Sequence, residues 1–179
     1  MAGFTNKTFQ VYDDYMTPRS AWEAVQAFIP TDKVVWEPFY GDGTSGEHLR
    51  SLGLSVIHTP DDFFSCDKGD IIVSNPPFSL VPLVLTRLVE LGKPFMLIMP
   101  ISKLCTNYFR MLFTDSLDPI QIIVPRKRIQ FIKVANGVPV GGRSDANFDC
   151  LYYCWKMNLP RDIVWLQSLT LPCSLRSPQ

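Results

Sequence analysis

Residues 70–79 read DIIVSNPPFS, and the fold turns on what this stretch does. Ile71, Ile72 and Val73 form an apolar run without polar alternation, the pattern of an interior strand in a parallel sheet. Pro76 and Pro77 lack the N–H that a ladder needs, so the strand must stop at Asn75. What remains is an asparagine at the carboxyl end of a buried strand, then a rigid turn with a free Pro76 carbonyl and an aromatic ring, Phe78. Two acceptors beside a ring suit a flat amide or amine.

Working outward, residues 17–29 (TPRSAWEAVQAFI) open with a Thr cap and a first-turn proline. They place Ala21, Trp22, Val25, Phe28 and Ile29 on one face, which predicts a helix over the whole segment. Residues 32–37 (DKVVWE) and 54–58 (LSVIH) read as strands, separated by the turn PFYGDGTSG and a helix over 46–52. Downstream, 81–91 and 104–113 have helical spacing. Segments 94–100 (PFMLIMP), 120–124 (IQIIV), 128–133 (RIQFIK) and 148–156 (FDCLYYCWK) read as strands, with the glycine-rich loop NGVPVGGRSD between the last two. The alternation predicts an α/β fold, a mostly parallel open sheet with a C-terminal antiparallel strand. One domain over 1–170 is expected, with a tail at 171–179. Ligands in such sheets sit at the carboxyl ends of strands where the strand order reverses, and both unusual turns lie at such ends.

The 179 residues suffice for one substantial core. Lys+Arg and Asp+Glu both total 17, so no global charge excess marks a nucleic-acid binder and any such surface must be local. One local patch exists, PRKRIQFIK at 125–133. The five cysteines show no CxxC pair, and His48 and His58 have no metal-ligand spacing, so neither a zinc site nor a disulfide framework is indicated. Cys150 and Cys154 share a face of their strand and read as packed thiols. The first ten residues lack the features of a signal peptide, and no apolar run reaches membrane-spanning length. A soluble intracellular protein of cytoplasm or nucleus, without a metal, is the expectation.

The turn EPFYGDGTSG at 37–46 follows the first long strand and precedes a helix. Gly41 and Gly43 permit positive φ and close approach of a ligand to the main chain. The turn is neither a complete dinucleotide fingerprint nor a P-loop. Glu37 and Asp42 would repel a pyrophosphate, whereas they suit an amine or ribose hydroxyls.

Together these stretches resemble the class I S-adenosylmethionine (SAM)-dependent amino-methyltransferases, which modify exocyclic nitrogens of nucleobases. YMTP (15–18) is similar to that family's motif before the first helix, and EPFYGDG (37–43) to its glycine turn. DFF (62–64) is similar to its adenosine-contacting acidic motif and NPPF (75–78) to its catalytic motif. The resemblance implies a Rossmann-like class I methyltransferase domain that transfers a methyl group from SAM to N6 of adenine in nucleic acid, DNA slightly favoured over RNA. It implies cofactor contacts from Tyr15, Thr17, Pro18, Glu37, Pro38, Phe39, Gly41, Gly43, Asp61, Asp62 and Phe63. It also implies a catalytic turn of Asn75, Pro76, Pro77 and Phe78. There the Asn75 oxygen and the Pro76 carbonyl accept the two N–H groups of the amine while Phe78 stacks on the base. Such bonds favour a pyramidal nitrogen and aim its lone pair at the methyl group.

The sequence departs from that pattern in two places. After the second long strand, VIHTP offers His58 where the family carries an acid for the SAM ribose. Ten residues separate DFF from NPPF, too few for another helix and strand, so the sheet is expected to have a reduced edge. No segment is long enough for a target-recognition domain, which points to a recognition subunit or a homo-oligomer as partner. Asp61 and Asp62 also suit a turn start. Lys127, Arg128, Lys133 and Arg143 read either as a nucleic-acid surface or as a solvated strand edge. Two other functions stay open: methylation of another planar nitrogen, such as guanine N2 or a glutamine amide, and a degenerate methyltransferase fold that serves as a binding subunit.

Overall fold

A computed structural model describes residues 15–135, 138–139 and 148–167. Its main sheet has seven strands, numbered in chain order: β2 (Val34–Trp36), β3 (Ser55–Ile57), β4 (Ile71–Ser74), β5 (Phe95–Pro100), β6 (Ile120–Val124), β9 (Cys150–Trp155) and β10 (Ile163–Trp165). Their spatial order is β10-β6-β9-β5-β4-β2-β3. β3, β2, β4 and β5 are mutually parallel, β9 runs antiparallel between β5 and β6, and β10 is parallel to β6. The chain leaves β2 for β3 on one side and returns to β4 on the other. The order therefore reverses at the carboxyl ends of β2 and β4, which is where a ligand crevice forms.

Period-two alternation divides the core between the two faces of this sheet. Met96, Ile98, Cys150, Tyr152 and Cys154 pack on one face, beneath α1 (Arg19–Glu23) and α2 (Thr44–Ser51). Phe95, Leu97, Met99, Tyr153 and Trp155 pack on the other, against α3 (Val81–Leu91) and α4 (Asn107–Phe113). Cys150 and Cys154 are thus packed thiols as expected, and burial raises the pKa of both.

Several elements differ from the expectation. The helix foreseen over 17–29 ends at Glu23 and is followed by a 3₁₀ turn, Gln26–Phe28. The Ala21 carbonyl, which a continuing α-helix would use, accepts the Tyr152 hydroxyl at 2.6 Å, and Val25 N–H turns to Trp22 O instead. The helix foreseen over 104–113 is split at Thr106, whose hydroxyl closes a 3₁₀ turn by donating to Lys103 O at 2.7 Å. RIQFIK is not a strand throughout. Ile129 and Phe131 are buried in the core, and pairing begins only in β7 (Ile132–Ala135). β7 forms a separate small sheet with β1 (Tyr15–Met16) and β8 (Val138–Pro139). On the β3 edge no strand lies between Ile57 and Ile71, as the short spacing predicts, while the opposite edge carries β10, which periodicity does not reveal in three residues.

Among the described residues no helix is long and apolar enough to cross a membrane. The expected tail, Arg143 and most of the glycine-rich loop lie outside the described residues.

Candidate active site

The two turns meet at a cleft of about 520 Å³, counted to its open mouth. Its walls come from β1 and Thr17, from the glycine turn (Glu37, Phe39, Tyr40, Gly41, Asp42), from Ser45 of α2 and from the whole of Asn75–Phe78. Of the residues expected at a cofactor site, Tyr15, Thr17, Glu37, Phe39 and Gly41 line this cleft together with the four of the catalytic turn. Gly41 and Gly43 both have positive φ, +56° and +88°, which is the conformation that the turn needs glycine for.

Asn75 is the side chain that the strand end aims into this space. Its Nδ2 donates to the Tyr15 carbonyl at 3.2 Å, which fixes the orientation of the amide. Its Oδ1 is buried and has no hydrogen-bond partner. A buried acceptor without a partner costs about 1–3 kcal/mol, so a donor that reaches this one from the cleft gains what the folded chain leaves unsatisfied. Phe78 stands beside it, edge-on to Phe148 at 5.3 Å and to Phe131 at 6.5 Å, with Tyr15 packed on both of those rings. Lys103 Nζ donates to the Phe78 carbonyl at 3.2 Å. Neither Phe131 nor Phe148 stands out in the sequence, because each reads as a strand residue until the small sheet folds back over the turn.

Glu37 is only 1% exposed. Its Oε1 accepts Ser74 Oγ at 2.5 Å and Phe39 N–H at 3.1 Å, and its Oε2 accepts Ser45 Oγ at 3.0 Å. Burial pushes its pKa from 4.5 up to about 8, against the pull of these donors. Between those values the folded state keeps a proton that the unfolded chain has lost. The contribution of Glu37 to stability is therefore full below about pH 4.5 and falls as pH rises toward about 8. Thermal denaturation of Glu37→Gln should show a flatter dependence over this window than wild type. Parallel curves would contradict the assignment.

Other expected site residues lie elsewhere or are already engaged. Asp61, Asp62 and Phe63 do not line the cleft. Asp61 pairs with Lys68 at 2.5 Å and accepts the Thr59 hydroxyl, and these bonds hold its pKa below the usual carboxylate range. Asp62 caps a turn, accepting Phe64 N–H at 3.1 Å and Ser65 Oγ at 2.6 Å, which is the structural alternative its sequence context offers. Phe63 is a core residue between Trp36 and Phe39, so it supports the cleft wall from behind. Pro18, Pro38 and Gly43 do not line the cleft either. His58, at the position of the missing acid, points inward beneath α2. Its Nδ1–H donates to Glu37 O at 2.8 Å, and its ring stacks on Tyr40 at 4.8 Å. Burial lowers its pKa.

Lys127 and Arg128 are exposed. Arg128 Nε pairs with Asp149 at 3.2 Å and donates to the Phe148 carbonyl at 3.3 Å, so this basic segment is tied to the ring that packs on Phe78. Lys133 pairs through its backbone with Tyr15 in the small sheet.

No protein-family profile matches the chain, and no curated protein matches it in sequence. Among solved structures, a Pyrococcus horikoshii protein assigned provisionally as an RNA methyltransferase is similar over 87% of this chain and 91% of its own, with 17% identity and a TM-score of 0.50. The chain has the class I methyltransferase fold. A precorrin-6y C5,15-methyltransferase from Geobacter metallireducens matches over 83% of this chain and 100% of its own, at 11% identity and a TM-score of 0.45. A Plasmodium falciparum dimethyladenosine transferase matches over 79% and 62%, at 13% identity and a TM-score of 0.44. In a methyltransferase fold of this order, the glycine turn and the Asn75 turn occupy the two sides of the switch point.

Proposed function

We propose that the protein is a SAM-dependent methyltransferase that acts on the exocyclic N6 amine of adenine in nucleic acid. The observation that carries the reading is the Asn75 Oδ1: a buried, unpartnered acceptor, held in orientation by the Tyr15 carbonyl, in the same cleft as the glycine turn. An acceptor is what an aniline-like amine requires, because its lone pair is delocalised until its hydrogens are engaged.

The residues present fit the cofactor. Gly41 is exposed at the cleft with positive φ, leaving its main chain open to approach. Thr17, Phe39 and Tyr40 supply a hydroxyl and two rings. When bound, SAM supplies a methyl group on a sulfonium. The chain contributes orientation. Asn75 Oδ1 accepts one N–H of the target amine, the Pro76 carbonyl the other, and Phe78 stacks on the base. In a duplex the base must first leave the stack.

Incubating DNA and RNA pools with methyl-deuterated SAM, then resolving nucleosides by mass spectrometry, tests the reading. Label on N6 of adenine nucleosides is expected, with DNA the preferred pool by the resemblance of YMTP and EPFYGDG. Label confined to guanine, or to protein glutamine, would replace the substrate, and SAM that fails to bind would favour a binding subunit.

Lys127 and its neighbours are assigned to phosphate contact, which positions a strand without reading its sequence. Lys127→Ala should weaken nucleic-acid binding by a similar factor across sequences and reduce the log–log salt slope by about one unit. Calorimetry should show unchanged SAM affinity. An unaltered slope makes Lys127 part of a solvated edge.

A further inference from the structure

Glu37 belongs to the glycine turn, yet its contacts run to the other half of the site. Three donors converge on its carboxyl group: Phe39 N–H from the turn, Ser45 Oγ from α2 and Ser74 Oγ from the end of β4. A carboxylate offers about four acceptor positions, so these donors occupy most of them in a group that is 1% exposed. In the neutral acid the Ser45 hydroxyl turns to accept, and the other two bonds persist. The Glu37 main chain is pinned as well, its carbonyl accepting from His58.

Ser74 and Asn75 are the residues whose backbone torsions decide where the Asn75 side chain points. Ser74 is tied to that carboxyl group by its hydroxyl at 2.5 Å, and Asn75 follows it directly in the chain. On its other side Asn75 is held by the Tyr15 carbonyl through Nδ2. The unpartnered Oδ1 is therefore held between two anchors, one behind the turn and one in front of it.

We infer that Glu37 is a positioning residue for methyl transfer: through Ser74 it sets the Asn75 acceptor, and thereby joins the glycine turn to the amine-binding turn. The inference rests on the amino-methyltransferase reading and assigns Glu37 a task other than cofactor contact. Misplacing a reacting group by about 1 Å costs up to roughly 100-fold in rate, so loosening this anchor must appear in kcat.

Three variants separate positioning from bulk structure. Ser74→Ala removes one tie with little change of volume, Glu37→Leu removes all three, and Glu37→Gln keeps an acceptor oxygen and a donor toward Ser45. Ser74→Ala and Glu37→Leu should lower kcat by roughly 10–100-fold per folded molecule, with the KM for SAM within about threefold of wild type. Glu37→Gln should restore kcat to within about threefold of wild type. A second readout does not need turnover. The Asn75 side-chain NH₂ pair in a ¹⁵N correlation spectrum, assigned by its loss in Asn75→Ala, should move toward the positions of free asparagines in Ser74→Ala. Glu37→Leu risks unfolding, but Ser74→Ala with an unmoved NH₂ pair, wild-type kcat, or a loss only in the KM for SAM would overturn the inference. If wild-type protein transfers no methyl group, the functional reading fails while the NH₂ pair still decides whether Glu37 sets Asn75.

Discussion

Asn75→Ala is expected to reduce methyl transfer by roughly 10³-fold while SAM affinity stays within about twofold of wild type, since one lost contact to a reacting centre costs about that much. The rate effect has two sources. The substitution deletes the acceptor proposed to engage the amine, and it deletes the Nδ2 bond to Tyr15 that ties β1 to the Asn75 turn. The stability effect should be opposite in character. In the ligand-free protein Oδ1 is a buried acceptor without a partner, so its removal relieves a penalty that offsets the loss of a single hydrogen bond at 3.2 Å. The melting temperature should therefore stay the same or rise. Single-turnover assays with labelled SAM, calorimetric SAM titration and thermal denaturation measure the three quantities. A variant with wild-type rate would remove Asn75 from the chemistry. One that loses rate and fold together would make it a structural residue. A site residue whose deletion costs activity but no stability is what a preorganised, strained position should show.

The two turns were legible in the sequence because each is an abrupt local event. DIIVSNPPFS breaks a β-branched run with two prolines, and PFYGDG places two glycines where backbone conformation alone demands them, as their positive φ values show. The mostly parallel sheet followed from the alternation of elements, and an antiparallel strand toward its C-terminal end was expected and is β9. What stayed hidden was decided by contacts distant in sequence. The Tyr152 hydroxyl that ends α1 lies 131 residues from Ala21. The carboxyl group of Glu37 reads as a ligand for an amine until Ser74, 37 residues on, is brought against it. Asp62 has the same one-letter context whether it meets a cofactor or caps its own turn, and local hydrogen bonds to Phe64 and Ser65 are enough to satisfy it. Phe131 joins Phe78 because β7 pairs with β1 across more than a hundred residues of chain, and Phe148 because β9 pairs with β5.

Gly46→Ala sets two physical effects against each other, and their sizes decide the outcome. Gly46 lies inside α2, where helix propensity alone favours alanine over glycine by about 1 kcal/mol. A Cβ at this position would stand 2.4 Å from Cδ2 of His58, 2.5 Å from its Cγ and 2.6 Å from its Cβ. The ring has nowhere to retreat: it is 6% exposed, its Nδ1 is bonded to the Glu37 carbonyl at 2.8 Å, and Tyr40 stacks on it. Overpacking of a fixed group costs about 1–3 kcal/mol and more where the backbone must move, so crowding outweighs propensity. Set against propensity, the net loss is up to about 2 kcal/mol, so the expected result is a fall in melting temperature of up to about 8 °C for a chain of this size. Because α2 must shift to make room, Ser45 moves away from Glu37 and the glycine turn with it, so SAM affinity should drop in the same variant. Adding His58→Ala removes two of the three close atoms, and the double variant should recover part of the loss, a coupling that separate sites would not show. A Gly46→Ala protein that melts higher than wild type, as propensity alone requires, would mean that His58 does not lie beneath α2. The glycine would then serve the helix rather than the packing of the cleft.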